Sequence, residues 1–180
     1  MISAGAWTWL EIAKIAATPA TAAALAFFTH RIAKRFEHGQ WKNQKLIEKR
    51  IAIYDDMAPL LNQLLCYFTY VGTWAEHQPV EIIDLKRDLD IKIYLAAPLI
   101  SSRLFDDLLA LQSQCFSTFN GWGEAARLNT DFEERKSAHG HLWELQWEKC
   151  FNVERVDPSK VKEAYTNAMN SFKIDIQLQR

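Results

Sequence analysis

The chain has 180 residues, 49% of them hydrophobic, a net charge of −1, and only six glycines and five prolines. That is enough for one domain with a filled core, and so few turn residues favour long helices over a strand-rich sandwich. The balanced charge excludes a global pull toward nucleic acid or anionic lipid. Three widely spaced cysteines, Cys66, Cys115 and Cys150, imply neither a disulfide framework nor a CxxC zinc site, but reduced and mostly buried thiols.

The first element is the alanine-rich run from Ile12 to Arg35. Ile15 to Thr29 is uncharged but holds only fifteen residues, short of the about 20 that cross a bilayer as a helix. Extension to Ala6–Thr29 gives the length and takes in Glu11 and Lys14. Both lie near one end, where long side chains snorkel, and their spacing of three lets them pair. Trp7 and Trp9 suit an interfacial aromatic belt, and Arg31, Lys34 and Arg35 form a basic flank at the other end. Positive charge after the run, not before it, argues against a cleaved signal and places the body of the protein in the cytoplasm. Ala16, Ala20 and Ala24 recur every fourth residue, the spacing at which small side chains let helices approach closely in lipid. Pro19 should kink this helix or mark its first full turn. Alanine is only mildly hydrophobic, so a soluble helix buried in a complex stands beside the membrane reading.

Charge stays positive up to Arg50, with Lys42, Lys45 and Lys49 against Glu37 and Glu48. Gly39 in "EHGQ" is the expected joint between the first helix and the next. From Gln40 to Val71 two apolar stripes recur at steps of three and four: Ile47, Ile51, Tyr54, Ala58, Leu61, Leu65, Phe68 and Ile53, Met57, Leu60, Leu64, Tyr67. They predict a long helix entering a bundle, bent at Pro59. Pro79 followed by Glu81 marks the next helix start, with Ile82, Leu85, Leu89 and Ile93 inward. "AAPLISS" ends it, and Ser101 or Ser102 caps a helix that turns Leu104, Leu108, Leu111, Cys115 and Phe119 inward. "NGWG" closes that helix. Residues 124–151 are expected as a helix with a loop around Ser137–Gly140. Asp157 and Pro158 start the last helix, with Val161, Tyr165, Ala168, Phe172 and Ile176 inward.

Chemistry-bearing patterns are sparse. No phosphate loop, nucleophile elbow, zinc-protease motif or paired carboxylates occur. His139 and His141 face opposite sides of a helix without Cys or Asp nearby, so no metal site is expected, and no cofactor either. "DLKRDLDIK" reads as a solvated face of ion pairs, with Lys86 and Arg87 as the residues of a ligand or docking face. Trp74, Trp122, Trp143 and Trp147 fit a core or groove, or the lining of a ligand pocket.

Arg135 and His141, separated by five residues, resemble the short Arg/His motif of HEPN-type ribonucleases. Those are small helical bundles in which two protomers bring Arg and His together to cleave RNA without metal. The alternative reading of the pair is a solvated, charged turn. The layout of anchor, basic flank and long helix resembles the small N-terminally anchored helical proteins of bacterial accessory genomes, including the transmembrane effectors of anti-phage defence. The expected fold is all-α: a transmembrane helix with its basic flank over 1–36, then a long helix and a cytoplasmic helical bundle over 37–180. The expected function is non-enzymatic: self-association, and sensing or docking at the bacterial inner membrane. The expected partners are the lipid bilayer, further copies of the chain and a docked protein, not nucleic acid. A HEPN-like ribonuclease and a soluble helical scaffold are the alternatives.

Overall fold

The computed structural model describes the backbone of residues 4–118, 121 and 123–177, and the side chains of residues 22, 25–34, 41–118, 121 and 123–176. The fold is all-α apart from one very short strand pair. Five α-helices follow in order: α1 Ala4–Thr69, α2 Pro79–Ala96, α3 Ser102–Cys115, α4 Phe132–His139 and α5 Pro158–Gln177. The chain divides into two compact units, Met1–Lys45 and Leu46–Arg180. The described part of the first belongs to α1. No helix among the described residues is long and apolar enough to cross a membrane. The side chains of Trp7, Trp9, Ala16, Ala20, Ala24 and Arg35 lie outside the described residues.

One expectation for α1 needs correction. The helix is continuous through Glu37–Gln40, so Gly39 is not a joint, and of the two roles expected for Pro19, a kink or the first full turn, the helix start at Ala4 excludes the second. A glycine inside a helix costs only about 1 kcal/mol relative to alanine, too little to break so long an element.

In the second unit the apolar stripes meet as the sequence predicts. Met57, Leu61, Leu64, Tyr67 and Phe68 of α1 are buried with Ile82, Leu85, Leu89 and Ile93 of α2, Leu104, Leu108, Leu111 and Cys115 of α3, and Val161, Ala168 and Phe172 of α5. α3 packs chiefly on α5, where the Ser171 hydroxyl donates to the Asp107 carboxylate. The helix starts follow their caps. Gln78 and Glu81 form a capping box around Pro79, the Ser101 hydroxyl accepts from Leu104 N–H at 3.2 Å, and Asp157 Oδ1 accepts from Ser159 N–H at 2.9 Å.

The connection between α3 and α5 departs from the expectation. α3 ends at Cys115, and Phe116 turns to extended backbone, φ −132° and ψ 139°. Phe116–Ser117 (β1) pairs antiparallel with Arg127–Leu128 (β2), and Leu128 bridges Phe151. Phe116, Leu128 and Phe151 are all buried, so three extended segments bury one residue each where a continued helix would bury a stripe. Residues 124–151 therefore hold only the short α4, begun by Asp131, whose Oδ1 accepts from Glu133 N–H at 2.9 Å. It is stopped at Gly140, whose φ of 55° favours glycine. Two 3-10 turns, Gly140–Leu142 and Leu145–Cys150, follow. Phe119 and Trp122 lie outside the described residues.

One polar junction, built on the buried Asp175, ties three helix ends together. Arg50 of α1 donates through Nε to the Leu99 carbonyl and through Nη1 to the Asp175 carbonyl, both at 2.8 Å. Asp175 Oδ2 accepts from Ser101 N–H at 2.7 Å, at the start of α3. A cation thus meets carbonyls at the end of α5, and a carboxylate meets the amide end of α3, the favourable sense of each dipole. Asp175→Ala removes a buried acceptor from a charge-assisted bond and should lower unfolding stability by about 1.5–3 kcal/mol, with Asp175→Asn losing less. Urea unfolding followed by circular dichroism measures both, and an alanine variant as stable as the parent would leave the junction without an energetic role.

Candidate functional site

An enclosed polar cluster forms where α1 ends. Thr69 closes the helix, Val71 N–H returns to the Cys66 carbonyl at 3.0 Å, and Tyr70 between them takes φ 58°. This is a left-handed helix termination of the kind usually given to glycine. A tyrosine there costs about 1–2 kcal/mol, so its side chain must supply compensation. The Tyr70 hydroxyl lies 3.1 Å from Thr130 Oγ1, and its ring meets Trp74 edge-on at 5.0 Å.

Arg135, from the middle of α4, enters the space that these rings enclose. Its side chain is 0% exposed. The guanidinium carbon sits 3.5 Å from the Tyr67 ring centre, 4.7 Å from Tyr70 and 5.2 Å from Trp74. Nη2 donates to the Tyr67 carbonyl at 2.6 Å and to Thr130 Oγ1 at 3.2 Å. No carboxylate among the described residues forms an ion pair with it. The charge is met instead by aromatic faces and by the carbonyl end of the α1 dipole. Burial lowers the Arg135 pKa from its ordinary value, against the opposing pull of Tyr67, Tyr70 and Glu134. Burial likewise raises Tyr67 and Tyr70, partly offset by the guanidinium. Nε and Nη1 of Arg135 and the Tyr67 hydroxyl have no hydrogen-bond partner among the described residues.

A second aromatic group supports α4 from below. His139 Nδ1 donates to the Arg135 carbonyl at 2.9 Å. Its ring packs edge-on against Trp147 at 5.5 Å and Trp143 at 5.9 Å, and Trp143 continues to Phe151. Arg135, Tyr67 and Trp147 are buried, and Tyr70, Trp74, His139 and Trp143 are half-buried. Surface grooves of 420–460 Å³ run beside Ile83, Arg127 and Phe151; along Tyr54, Tyr165 and Met169; and beside Leu65, Cys66 and Pro158.

The sequence candidates separate in space. Arg135 is sealed in the box, while His141 is exposed on the turn after Gly140, so within one chain they do not form a pair. The solvated-turn reading of Arg135 is corrected as well, because α4 turns this residue inward onto α1. Lys86 and Arg87 do not share a face. Lys86 is buried, with Nζ 2.6 Å from Asp90 and over the Phe116 ring, whereas Arg87 is exposed and pairs with Asp84 at 2.6 Å. Arg31 and Lys34 are exposed on α1. Among the described residues no cluster of three or more His, Cys, Asp or Glu is arranged to hold a metal ion. Cys66, Cys115 and Cys150 are free thiols, and burial raises the pKa of Cys115 and Cys150. No family model, curated protein or solved structure matches the chain.

The sequence reading missed the box itself. Its signal lay in Tyr67, Tyr70 and Trp74, aromatics at steps of three and four that run past the end of the helix and need a partner there.

Arg135 therefore acts as a clamp of α4 onto α1. Arg135→Lys keeps the charge but cannot spread it over three rings. It should cost about 2 kcal/mol by urea unfolding, and parent-like stability would rule the clamp out. The Tyr67 hydroxyl has no partner among the described residues, so Tyr67→Phe should change stability at pH 7 by less than about 1 kcal/mol. The two proteins should part at high pH. In the parent the folded-state pKa is raised, so stability is full below the unfolded value near about pH 10 and is lost as pH rises beyond it. The phenylalanine variant lacks that loss and should stay folded to higher pH when circular dichroism follows an alkaline titration.

Proposed function

We propose that this is a non-enzymatic, membrane-anchored helical protein that associates with its own copies through the first part of α1. On this reading the bundle of residues 46–180 faces the cytoplasm and docks a partner. The observation that carries the reading is the surface of α1 up to and into its basic flank. Leu25, Phe27 and Phe28 before the flank and Ile32 within it are 53–66% exposed, a run of large apolar side chains that water disfavours by roughly 25 cal/mol per Å². The Thr29 hydroxyl in their midst donates back to the Leu25 carbonyl at 2.8 Å, so that polar group is satisfied within the helix, as lipid requires. Arg31 and Lys34 follow at the cytoplasmic edge of this reading. The ribonuclease alternative needs an accessible Arg135, whose burial counts against it. A bacterial defence effector acting at the inner membrane is the most specific form of the proposal, and it rests on layout alone.

Fractionation tests the anchor. The full chain should stay with membranes through a carbonate wash, and release as a soluble monomer would end the proposal. Ala20→Leu fills the proposed helix–helix groove with a larger side chain while keeping the segment apolar. It should reduce crosslinked oligomers in membranes several-fold, with Ala22→Leu as the matched control on another side of the helix. Equal crosslinking of both variants and the parent would place the contact elsewhere.

A further inference from the structure

The two units differ in charge. The sequence of Met1–Lys45 holds six Lys and Arg against two Asp and Glu, and that of Leu46–Arg180 holds fifteen against twenty. Within the first unit the described cations share one face of α1. At 3.6 residues per turn, Arg31, Lys34, Lys42 and Lys45 fall within roughly 80° around the helix axis, with Phe27 and Trp41 on or beside the same arc. All six are exposed, Phe27 and Trp41 at 59% each. The Arg31 guanidinium lies over the Phe27 ring, 5.8 Å from its centre, so the stripe begins with a cation seated on an aromatic face. Arg31, Lys34 and Lys42 form no ion pair among the described residues. In register, Arg35 falls at one edge of this face and Glu37 beyond the other; the side chains of both lie outside the described residues.

We propose that this face of α1 docks on the phosphates of an acidic lipid surface, with Arg31 and the lysines on the headgroups and Phe27 and Trp41 at the boundary with the acyl chains. The inference rests on the membrane reading above and names the lipid chemistry that the chain meets. Charge complementarity carries it. Basic side chains beside a membrane anchor are drawn to anionic headgroups, each by about fivefold in affinity near the surface. The net charge of the second unit has the wrong sign for such a surface, so the first unit supplies the attraction. The neighbouring side chains favour lipid over a nucleic-acid strand. Phe27, together with the exposed Leu25, Phe28 and Ile32, has apolar area to bury, and lipid offers an apolar layer beneath its phosphates. Helix geometry adds a constraint. Lys42 lies roughly 16 Å beyond Arg31 along the axis, about two Debye lengths at physiological salt. A helix standing straight out of the membrane would lift Lys42 clear of the headgroups. Engagement of the whole face therefore requires α1 to lean onto the surface between Arg31 and Lys45.

The test reconstitutes the full chain into vesicles of phosphatidylcholine with and without one-third phosphatidylglycerol. An ammonium held against a phosphate is shielded from an amine-reactive reagent. Acylation of Lys42, read by peptide mass spectrometry, should be about fivefold slower in the acidic vesicles at low salt and equal in both at high salt. Trp41→Asp puts an anion on the face and should abolish the difference. Asn43→Asp adds the same charge at an exposed position on the far side of α1 and should preserve it. Equal labelling in the two kinds of vesicle, or equal behaviour of the two variants, would overturn the proposal. Protection of Lys42 by single-stranded RNA and not by the acidic lipid would overturn it in favour of a nucleic acid. Protection that rises with protein density in neutral vesicles would overturn it in favour of the acidic bundle of another copy. A carbonate wash of the same vesicles separates this inference from the anchor. A chain that resists the wash with Lys42 unprotected refutes the docking alone. One that the wash releases, yet that binds acidic and not neutral vesicles with Lys42 protected, refutes the anchor alone.

Discussion

A guanidinium that pairs with no carboxylate among the described residues organises the end of this bundle. Burying an unpaired cation in an apolar interior is prohibitive unless fixed dipoles replace its water. Arg135 obtains them from the free carbonyl of Tyr67 at the end of α1, from Thr130, and from three ring faces. Arg50, half-exposed, is held in a related way, donating to the Leu99 and Asp175 carbonyls. Asp175 is the mirror case, a carboxylate held by an amide at the start of α3. Helix termini leave unpaired groups of one sign at each end. Here charged side chains from distant parts of the chain occupy them, so every clamp joins two elements at once.

Much of the rest follows from the first clamp. α4 is only eight residues long, charged and poor in apolar positions, and would not persist as an isolated helix. It is held by one arginine on its upper side and by the His139, Trp143 and Trp147 group below. The strained backbone at Tyr70 belongs to the same arrangement. Left-handed geometry places the ring against both the guanidinium and Trp74, a position that glycine would leave empty. Strain at a non-glycine residue often marks a functional site. In this fold it marks a joint, because Tyr70 closes the end of α1 against Arg135, which is buried.

The helical bundle was legible in the sequence because its signals are local. Period-3.6 stripes on α1, α2, α3 and α5 predicted the buried faces, and Pro79, Ser101 and Asp157 predicted the helix starts. The segment from Phe116 to Phe151 was not legible. Its buried residues are held by pairings across sequence gaps, Phe116 with Leu128 and Leu128 with Phe151, which no local period encodes. Arg135 was misread as solvent-facing for the same reason. Its neighbours in sequence are charged, and the aromatics that surround it come from a segment some 60 or more residues earlier, Tyr67 being 68 positions away. Lys86 shows the converse error, since a mixed-charge run reads as one exposed face until the helix rotation assigns each member. Gly39 shows that a weak helix former in a long helix is a cost, not a boundary.

The interior meets its charges only in part, since Arg135 Nε and Nη1, the Tyr67 hydroxyl and Asp175 Oδ1 have no hydrogen-bond partner among the described residues, while the surface carries two runs of large apolar side chains. Isolated exposed side chains such as Val153 need no explanation. The two runs on α1 and α2 differ because each follows a helix face. The three apolar side chains exposed on the outer face of α2, Ile91, Tyr94 and Leu95, and the four on α1 each fall short of the roughly 800 Å² per partner that a stable interface buries, so neither run is by itself the whole of a stable contact.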